Sequence, residues 1–507
     1  MKVFVVLLVC FGANLVYCDV VMTVPNQNNP LHLISKKFLS VALDTAVIAD
    51  NFEGFNMSNP RFLKMVTHLS PGYLRIGGNM ADRLYFVVTA EHDRNNAGYK
   101  TALDGGECAY EELAKCDMNF PNFTMTAHQW TQLNEFARRV HTKILFDLNC
   151  LTRNTDGSWN ADNARELITY SHRKAYDIDW QLGNEPDAFK HVFNIAVNAS
   201  QLAKDFATLR TLLNTFPRYK NSLLVGPDTT RPRPEHRTSA KYLEQFLQAS
   251  DKDVLDAVTF HQYYLNGHIA QLADFLNLST FQLLEDQLTL ANQLVSDSPL
   301  RGAAIWLTET ASAYGNGAPG LSDSFVASFL WLDKLGLAAR HGLYTVVRQS
   351  LVRGYYALIT DDYQPTPDYW LSIVFNMLVG PEVIACHLTP PAGVRLYCHC
   401  AKQSWGKITV FGINVMNATV PIHVNSTSVV ETGDQYILTA QGNNLTTKNV
   451  LLNDVLLQLT DQGELPVFPK KRVDLSQPLW MPAQALAFWV IPTTSVAVCS
   501  PVSVTQV

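Results

Sequence analysis

Residues 144–149 (ILFDLN) and 178–183 (IDWQLG) are short apolar runs, each flanked by a helical pattern. The second passes directly into Asn184-Glu185-Pro186. Both are too short for helices and have the composition of buried parallel strands. The same unit recurs on either side. Further strand candidates are 39–44 (LSVALD), 73–77 (YLRIG), 222–226 (SLLVG), 257–261 (AVTFH), 303–308 (AAIWLT) and 344–349 (YTVVRQ). Helical stripes separate them, such as Trp130, Leu133, Phe136 and Val140, and Leu202, Phe206, Leu209 and Leu213. Another helix is predicted from near Ser322 to near Gly342, with Phe325, Phe329, Leu332 and Leu335 on one face. Eight strands alternating with helices predict an α/β fold, a (β/α)8 TIM barrel over 39–384. An open doubly wound sheet is the alternative, disfavoured because no Gly-rich dinucleotide fingerprint follows the first strand.

The connection between the second and third strands (78–143) is long. Its polar part, 87–117, predicts an excursion from the barrel, either a flap or a processed linker. From 385 to 507 the helical pattern gives way to alternating runs such as Lys407–Val415 (KITVFGINV) and Ala485–Ile491. These predict a C-terminal β-sandwich, joined by a strand from 19–38.

Of the 507 residues, 47% are hydrophobic and 17% charged, which excludes disorder over most of the chain. Lys+Arg is 39 and Asp+Glu is 45, a net charge of −6. That excludes a strongly basic nucleic-acid binder. Lys2 followed by the apolar run Val3–Val9 predicts a signal peptide over 1–18, and hence secretion; the run is too short to anchor in a bilayer. No other stretch has the apolar length of a transmembrane helix.

An oxidising compartment favours disulfides. Cys398-His399-Cys400 lacks a partner pair at zinc-ligand spacing, so pairing is expected instead. Candidates are Cys108 with Cys116, Cys386 with Cys398, and Cys400 with Cys499, leaving Cys150 as a buried thiol. Asn-x-Ser/Thr sequons at Asn56, Asn122, Asn198, Asn277, Asn417, Asn425 and Asn444 predict a glycosylated surface.

Barrel enzymes carry their chemistry at the C-terminal ends of strands. Glu185 follows the fourth strand at once, and Glu309 is expected to close the seventh. Two carboxylates so placed can flank one glycosidic bond, one as acid/base and one as nucleophile. Asn184 can donate to a sugar 2-OH. The plainer readings are a helix-capping Glu185 and a surface Glu309; two such residues on the appropriate strand ends argue against both. His261 and Tyr263 come after the sixth strand, where Tyr263 can hydrogen-bond Glu309 and His261 is either a substrate contact or a satisfied core histidine. Arg231 and Arg233 come after the fifth, as forks for sulfate or carboxylate or as solvated loop residues. No metal cluster, phosphate loop or Ser/His/Asp elbow stands out, so neither metal nor cofactor is expected.

These residues, with PLHLISKKFLSVALD (30–44), YLRIGG (73–78), WQLGNEP (180–186), TFHQYYLNG (259–267), WLTETASAYGNGAPGLSD (306–323) and PDYWLSIVFNMLVG (367–380), make the chain resemble the heparanase-type glycoside hydrolases. The resemblance covers nearly all of the expected mature chain. It implies a retaining endo-β-glucuronidase that cleaves internal glucuronate–glucosamine linkages of heparan sulfate. It also implies residence in the extracellular matrix or lysosome, as one chain or as two pieces after linker excision. Glu185 then matches the acid/base and Glu309 the nucleophile, with Asn184 and Tyr263 beside them. Asp44 matches a sugar contact. Gly315, Asn316, Gly354 and Tyr356 match the binding site of the glucuronate carboxylate, and Arg231 and Arg233 match glucosamine contacts.

The chain departs from the pattern at Asn316, in place of a Gly, at Asn79, in place of a Thr on the site rim, and at His268 and Arg231. Residues 116–127 (CDMNFPNFTMTA) and 391–395 (PAGVR) lack the family's basic clusters, which predicts weaker binding to densely sulfated chains. Alternative readings are an exo-β-glucuronidase on another glycan and a non-catalytic heparan-sulfate-binding relative. The retained Glu185, Asn184, Glu309 and Tyr263 argue against the second.

Overall fold

Eight parallel strands form the barrel: β1 Leu39–Asp44, β2 Gly72–Gly77, β3 Thr142–Leu148, β4 Ile178–Leu182, β5 Val225–Thr229, β6 Ala257–Asn266, β7 Ala304–Tyr314 and β8 Val346–Arg348. Their pairing order is β4-β3-β2-β1-β8-β7-β6-β5. A parallel bridge between Trp180 and Leu224 brings β4 to β5. This computed structural model describes residues 20–88, 120–233, 237–389, 393–402, 404–425, 432–493 and 496–500. The expected signal peptide, most of the 87–117 excursion, and Cys108 with Cys116 lie outside those residues.

The barrel interior is layered. Tyr73, Leu145, Val225, Ala257 and Trp306 form an apolar floor. Trp306 lies 5.3 Å from the Tyr73 ring and stacks on Tyr344 at 5.1 Å. Side chains alternate along a strand, so Arg75, Asp147, Thr259 and Thr308 stand one layer above that floor. All four are buried. A charged layer therefore lies directly beneath the C-terminal mouth.

Three strands depart from the sequence reading. β5 begins at Val225 and continues through Pro227 and Asp228, where 222–226 was expected. Proline reads as a strand end, yet here the strand passes through an irregularity at Asp228, whose φ is 54°. β6 runs on to Asn266 and β7 to Tyr314. Glu309 therefore lies within β7 rather than at its close, and His261 and Tyr263 lie within β6. Polar residues after an apolar run resemble a loop, but these point into the site while backbone pairing continues. The helix expected from Ser322 starts at Ala327, because the Phe325 and Val326 amides bond instead to Thr447 and Leu445 carbonyls.

The C-terminal part is two packed sheets. One has four strands, ordered His387–Leu388, Val20–Thr23, Val420–Asn425 and Leu479–Met481. The other has nine and is centred on Val394–Ala401, Lys407–Asn414, Ala485–Pro492 and Thr432–Ala440. Met22, Ile422, Val410, Trp489 and Ile491 fill the space between them. The chain thus enters the sandwich first, with Val20–Thr23 running parallel to Val420–Asn425. Cys386 bonds to Cys398 and Cys400 to Cys499, while Cys150 is a buried thiol.

The outer face of the nine-stranded sheet carries Tyr436, Leu438 and Phe488 into the barrel's own core. The helix Ala327–Arg340, buried from Ala327 to Ala339, lies between the barrel and the sandwich. Its Asp333 accepts from Tyr397 at 2.6 Å and pairs with Arg395. A Cβ at Gly336 would fall 2.2 Å from the Tyr397 ring, so only glycine allows this approach. Asn56, Asn122, Asn198, Asn277, Asn417 and Asn444 are exposed.

Candidate active site

The peptide after β4 makes a sharp left-handed turn: Gly183 has φ 82° and Glu185 φ 55°. A Cβ at Gly183 would lie 2.7 Å from Cys150 Cβ, so the turn needs glycine on both counts. Backbone bonds fix it, with the Glu185 amide donating to the Asp228 carbonyl at 2.9 Å and the Asn184 amide to Asp82 Oδ2 at 2.9 Å. Glu185 is thereby presented at the mouth with its side chain 17% exposed.

Glu309 faces it from β7 and is 8% exposed. Both of its oxygens are held: Oε1 accepts from Tyr263 at 2.7 Å and Oε2 from Arg75 Nη1 at 2.8 Å. One oxygen each of Glu185 and Glu309, with a ring nitrogen of His261, all lie within 4.8 Å of one another. These three could hold a cation by geometry alone. The Arg75 guanidinium already supplies the compensating positive charge, so the chemistry favours an ionised carboxylate over a metal centre.

Arg75 organises the layer beneath. Its Nε donates to Gln181 Oε1 and its Nη2 to Asn184 Oδ1 and Asp228 Oδ2, each at 2.9 Å. Asp147 lies 3.5 Å from it. His261 is 1% exposed; its Nδ1 is 3.0 Å from Glu185 Oε1 and its Nε2 3.4 Å from Asp228 Oδ2. Arg75 Nη2 is also 3.4 Å from Nε2. In the charged ring, whose pKa is raised to about 10, both nitrogens donate, so Nε2 pairs with Asp228 and not with the guanidinium, which also only donates.

The electrostatics follow from burial and these neighbours. Burial alone would raise Glu309, but His261, Arg75 and Tyr263 outweigh it and hold the carboxyl below its usual range. Burial disfavours a charged His261, yet Glu309, Asp228 and Glu185 raise it to about 10, so it is an imidazolium. Asp228 is held low against burial by Arg75, His261 and Thr259. Asp147 is pushed well up, chiefly by burial.

The remaining expected residues fall around this centre. Asn184 Nδ2 donates to Asn79 Oδ1 at 3.0 Å, and its Oδ1 accepts from the Gly78 amide at 3.1 Å. Asp44 accepts from the Ala46 amide at 2.9 Å, and burial raises it to about 6. Gly315, Asn316, Gly354 and Tyr356 come together where β7 and β8 end: a Cβ at Gly354 would meet Asn316 Oδ1 at 2.5 Å and Tyr356 Cε2 at 2.9 Å. The Tyr356 ring lies 6.4 Å from that of Tyr263. Arg231 bonds to the Tyr263 carbonyl and sits 5.5 Å over the Tyr314 ring. Arg233 lies on the following loop, half-buried. Of the two readings of His261, substrate contact and satisfied core histidine, the structure fits the second, with the ring 1% exposed and a carboxylate at each nitrogen.

The sequence reading missed Arg75, Asp147, Gln181 and Asp228. Their signal was a charge or amide at an inward position of an otherwise apolar strand, as in YLRIG and ILFDLN.

A family model described as glycosyl hydrolase family 79, N-terminal domain, matches residues 49–336. Heparanase from Mus musculus is 34% identical, with 93% of this chain and 92% of that protein covered. Inactive heparanase-2 from Mus musculus is 30% identical over 94% of this chain and 88% of its own. Hyaluronoglucuronidase from Hirudo nipponia is 29% identical, covering 95% and 99% respectively. A 4-O-α-L-rhamnosyl-β-D-glucuronidase structure from Fusarium oxysporum shares the fold with a TM-score of 0.65 at 14% identity, covering 92% of this chain and 99% of that one. The chain belongs to glycosyl hydrolase family 79.

Proposed function

We propose that this glycoside hydrolase is a retaining endo-β-glucuronidase that cleaves glucuronate–glucosamine linkages within heparan sulfate. The observation that carries the reading is the unequal treatment of two neighbouring glutamates. Glu309 has both oxygens bound by donors and is ionised. Glu185 is more exposed, with His261 on one oxygen. Oxygens within 4.8 Å suit the retaining spacing of ~5–5.5 Å between carboxyl groups and leave too little room for the water of an inverting enzyme.

In this mechanism Glu309 attacks the anomeric carbon while Glu185 gives its proton to the departing glycosidic oxygen. His261 donates to Glu185 Oε1 and leaves Oε2 for that transfer. A glycosyl ester on Glu309 results, and water activated by Glu185 then hydrolyses it. Asn184, held by Arg75, Gly78 and Asn79, is positioned for the 2-OH. The turn around Asn316 and Gly354 would take the glucuronate carboxylate through backbone amides, with Tyr356 beside it.

The reading includes secretion to the matrix or lysosome after removal of residues 1–18, N-glycans on the exposed sequons, no cofactor, and a barrel with one excursion. Among the described residues, no helix is long and apolar enough to cross a membrane. A second reading, cleavage of another glucuronate glycan such as hyaluronan, is favoured by the likeness to the leech hyaluronoglucuronidase. Likeness to inactive heparanase-2 is offset by the pairing of the two glutamates, with a donor on each oxygen of Glu309.

The test is hydrolysis of size-defined heparan sulfate and hyaluronan at about pH 5, on the acid side of neutrality where general-acid catalysis is favoured. Internal cleavage of heparan sulfate that is lost in Glu309→Gln supports the proposal. Cleavage of hyaluronan alone supports the second reading. Release of terminal units only would overturn endo action.

A further inference from the structure

A groove of about 410 Å³ opens on the sandwich, away from the catalytic glutamates, and the proposed reaction makes no use of it. The four-stranded sheet ends at the edge strand Leu479–Met481. Beyond that edge, no strand among the described residues covers the inner face of Thr432–Ala440. Gln435, Ile437 and Thr439 alternate onto that face and form the groove floor. Trp480 stands at the edge as a wall with 53% of its surface exposed. Asp454, Lys471 and Asp474, all exposed, complete the rim.

An exposed indole is costly to leave in water and suits the C–H face of a sugar ring, and the floor beside it mixes one apolar side chain, Ile437, with the polar Gln435 and Thr439. The polar groups suit hydroxyls. Gln435 Oε1 is taken by Trp489 Nε1 at 3.0 Å, so its amide would meet a sugar as a donor. Asp474 uses one oxygen on the Ser476 amide at 2.9 Å, and its other oxygen can accept. Carboxylate acceptors make strong bonds to hydroxyl donors.

Charge selects the ligand class. The rim holds two carboxylates against one ammonium. The flanking Lys470 and Arg472 are drawn to Asp434, at 3.4 and 3.1 Å. A polyanion would meet a patch with no net positive charge, Asp434, Asp454 and Asp474 offsetting Lys470, Lys471 and Arg472, and would release few counterions. We propose that this groove is a second, non-catalytic glycan site, and that it takes a short uncharged oligosaccharide of hexose or N-acetylhexosamine units rather than the acidic chain cleaved in the barrel.

The test is titration of the full chain with chitotetraose and, separately, with a heparin-derived tetrasaccharide, read by calorimetry and indole fluorescence. The variants are Trp480→Ala, Lys471→Glu and Asp454→Asn, each checked for an unchanged melting temperature. Saturable chitotetraose binding, weakened about tenfold or more in Trp480→Ala and kept in Lys471→Glu, is the expected result. Hydrolysis of the barrel substrate stays unchanged in all three variants, so this outcome is independent of the catalytic reading. Binding of the heparin fragment alone, abolished by Lys471→Glu, overturns the charge assignment. Binding of neither sugar, or binding indifferent to Trp480, overturns the site.

Discussion

Arg75 Nη1 lies 2.8 Å from Glu309 Oε2, and Arg75 itself is fully buried. The same guanidinium reaches Gln181, Asn184 and Asp228, so side chains from three other strands, β4, β5 and β7, and from the turn after β4 converge on it. The chemistry of the mouth rests on this buried charge layer.

Arg75→Met should therefore destabilise the fold and abolish activity together. Removing one partner strands buried carboxylates, at a cost of roughly 3–5 kcal/mol. Urea unfolding measures the first effect and steady-state kinetics the second. Arg75→Lys keeps the charge but loses the fork, so it should recover more stability than activity.

Tyr263→Phe removes the donor to Glu309 Oε1 and little else. A hydrogen bond to a charged group is worth roughly 1.5–3 kcal/mol, so kcat/KM should fall about 10- to 150-fold. The melting temperature should change little, and differential scanning calorimetry checks that.

The imidazolium of His261 makes stability depend on pH. Its folded pKa of about 10 exceeds the unfolded value of 6.5. Its contribution is thus complete below about pH 6.5 and is lost as pH rises through about 10. Unfolding free energies at pH 6 and pH 9 should differ more for the wild type than for His261→Gln. Equal differences would show that His261 is neutral.

Cys400 and Cys499 close a span of 99 residues. In the loop-entropy account, loss of such a bridge costs roughly 4–5 kcal/mol. Cys499→Ala should lower the melting temperature by several degrees without altering kcat on a small glucuronide, because the bridge lies in the sandwich.

The two glutamates were legible because each lies beside a strong local strand signal, Trp180-Gln181-Leu182 and Ile305-Trp306-Leu307. Arg75 was not. Its meaning comes from Asp147, Gln181, Asp228 and Glu309, which are distant in sequence and meet only when the barrel closes. His261 was placed at the site, but its role depends on which carboxylates flank both ring nitrogens, a three-dimensional fact. Strand β5 was read too early because Pro227 looks like a terminator, and β7 too short because its polar half faces the site. The N-terminal strand's place in the sandwich was expected from 19–38 because those residues precede the barrel, and Val20–Thr23 pairs there with Val420–Asn425.

Glu309 as a covalent nucleophile is the central claim. The direct measurement is trapping with an activated 2-deoxy-2-fluoro-glucuronide, followed by peptide mass spectrometry. The account predicts one glucuronyl adduct on the peptide containing Glu309, formed in the wild type and absent from Glu309→Gln. An adduct on Glu185, or turnover with an inverted anomeric product and no adduct, would contradict it.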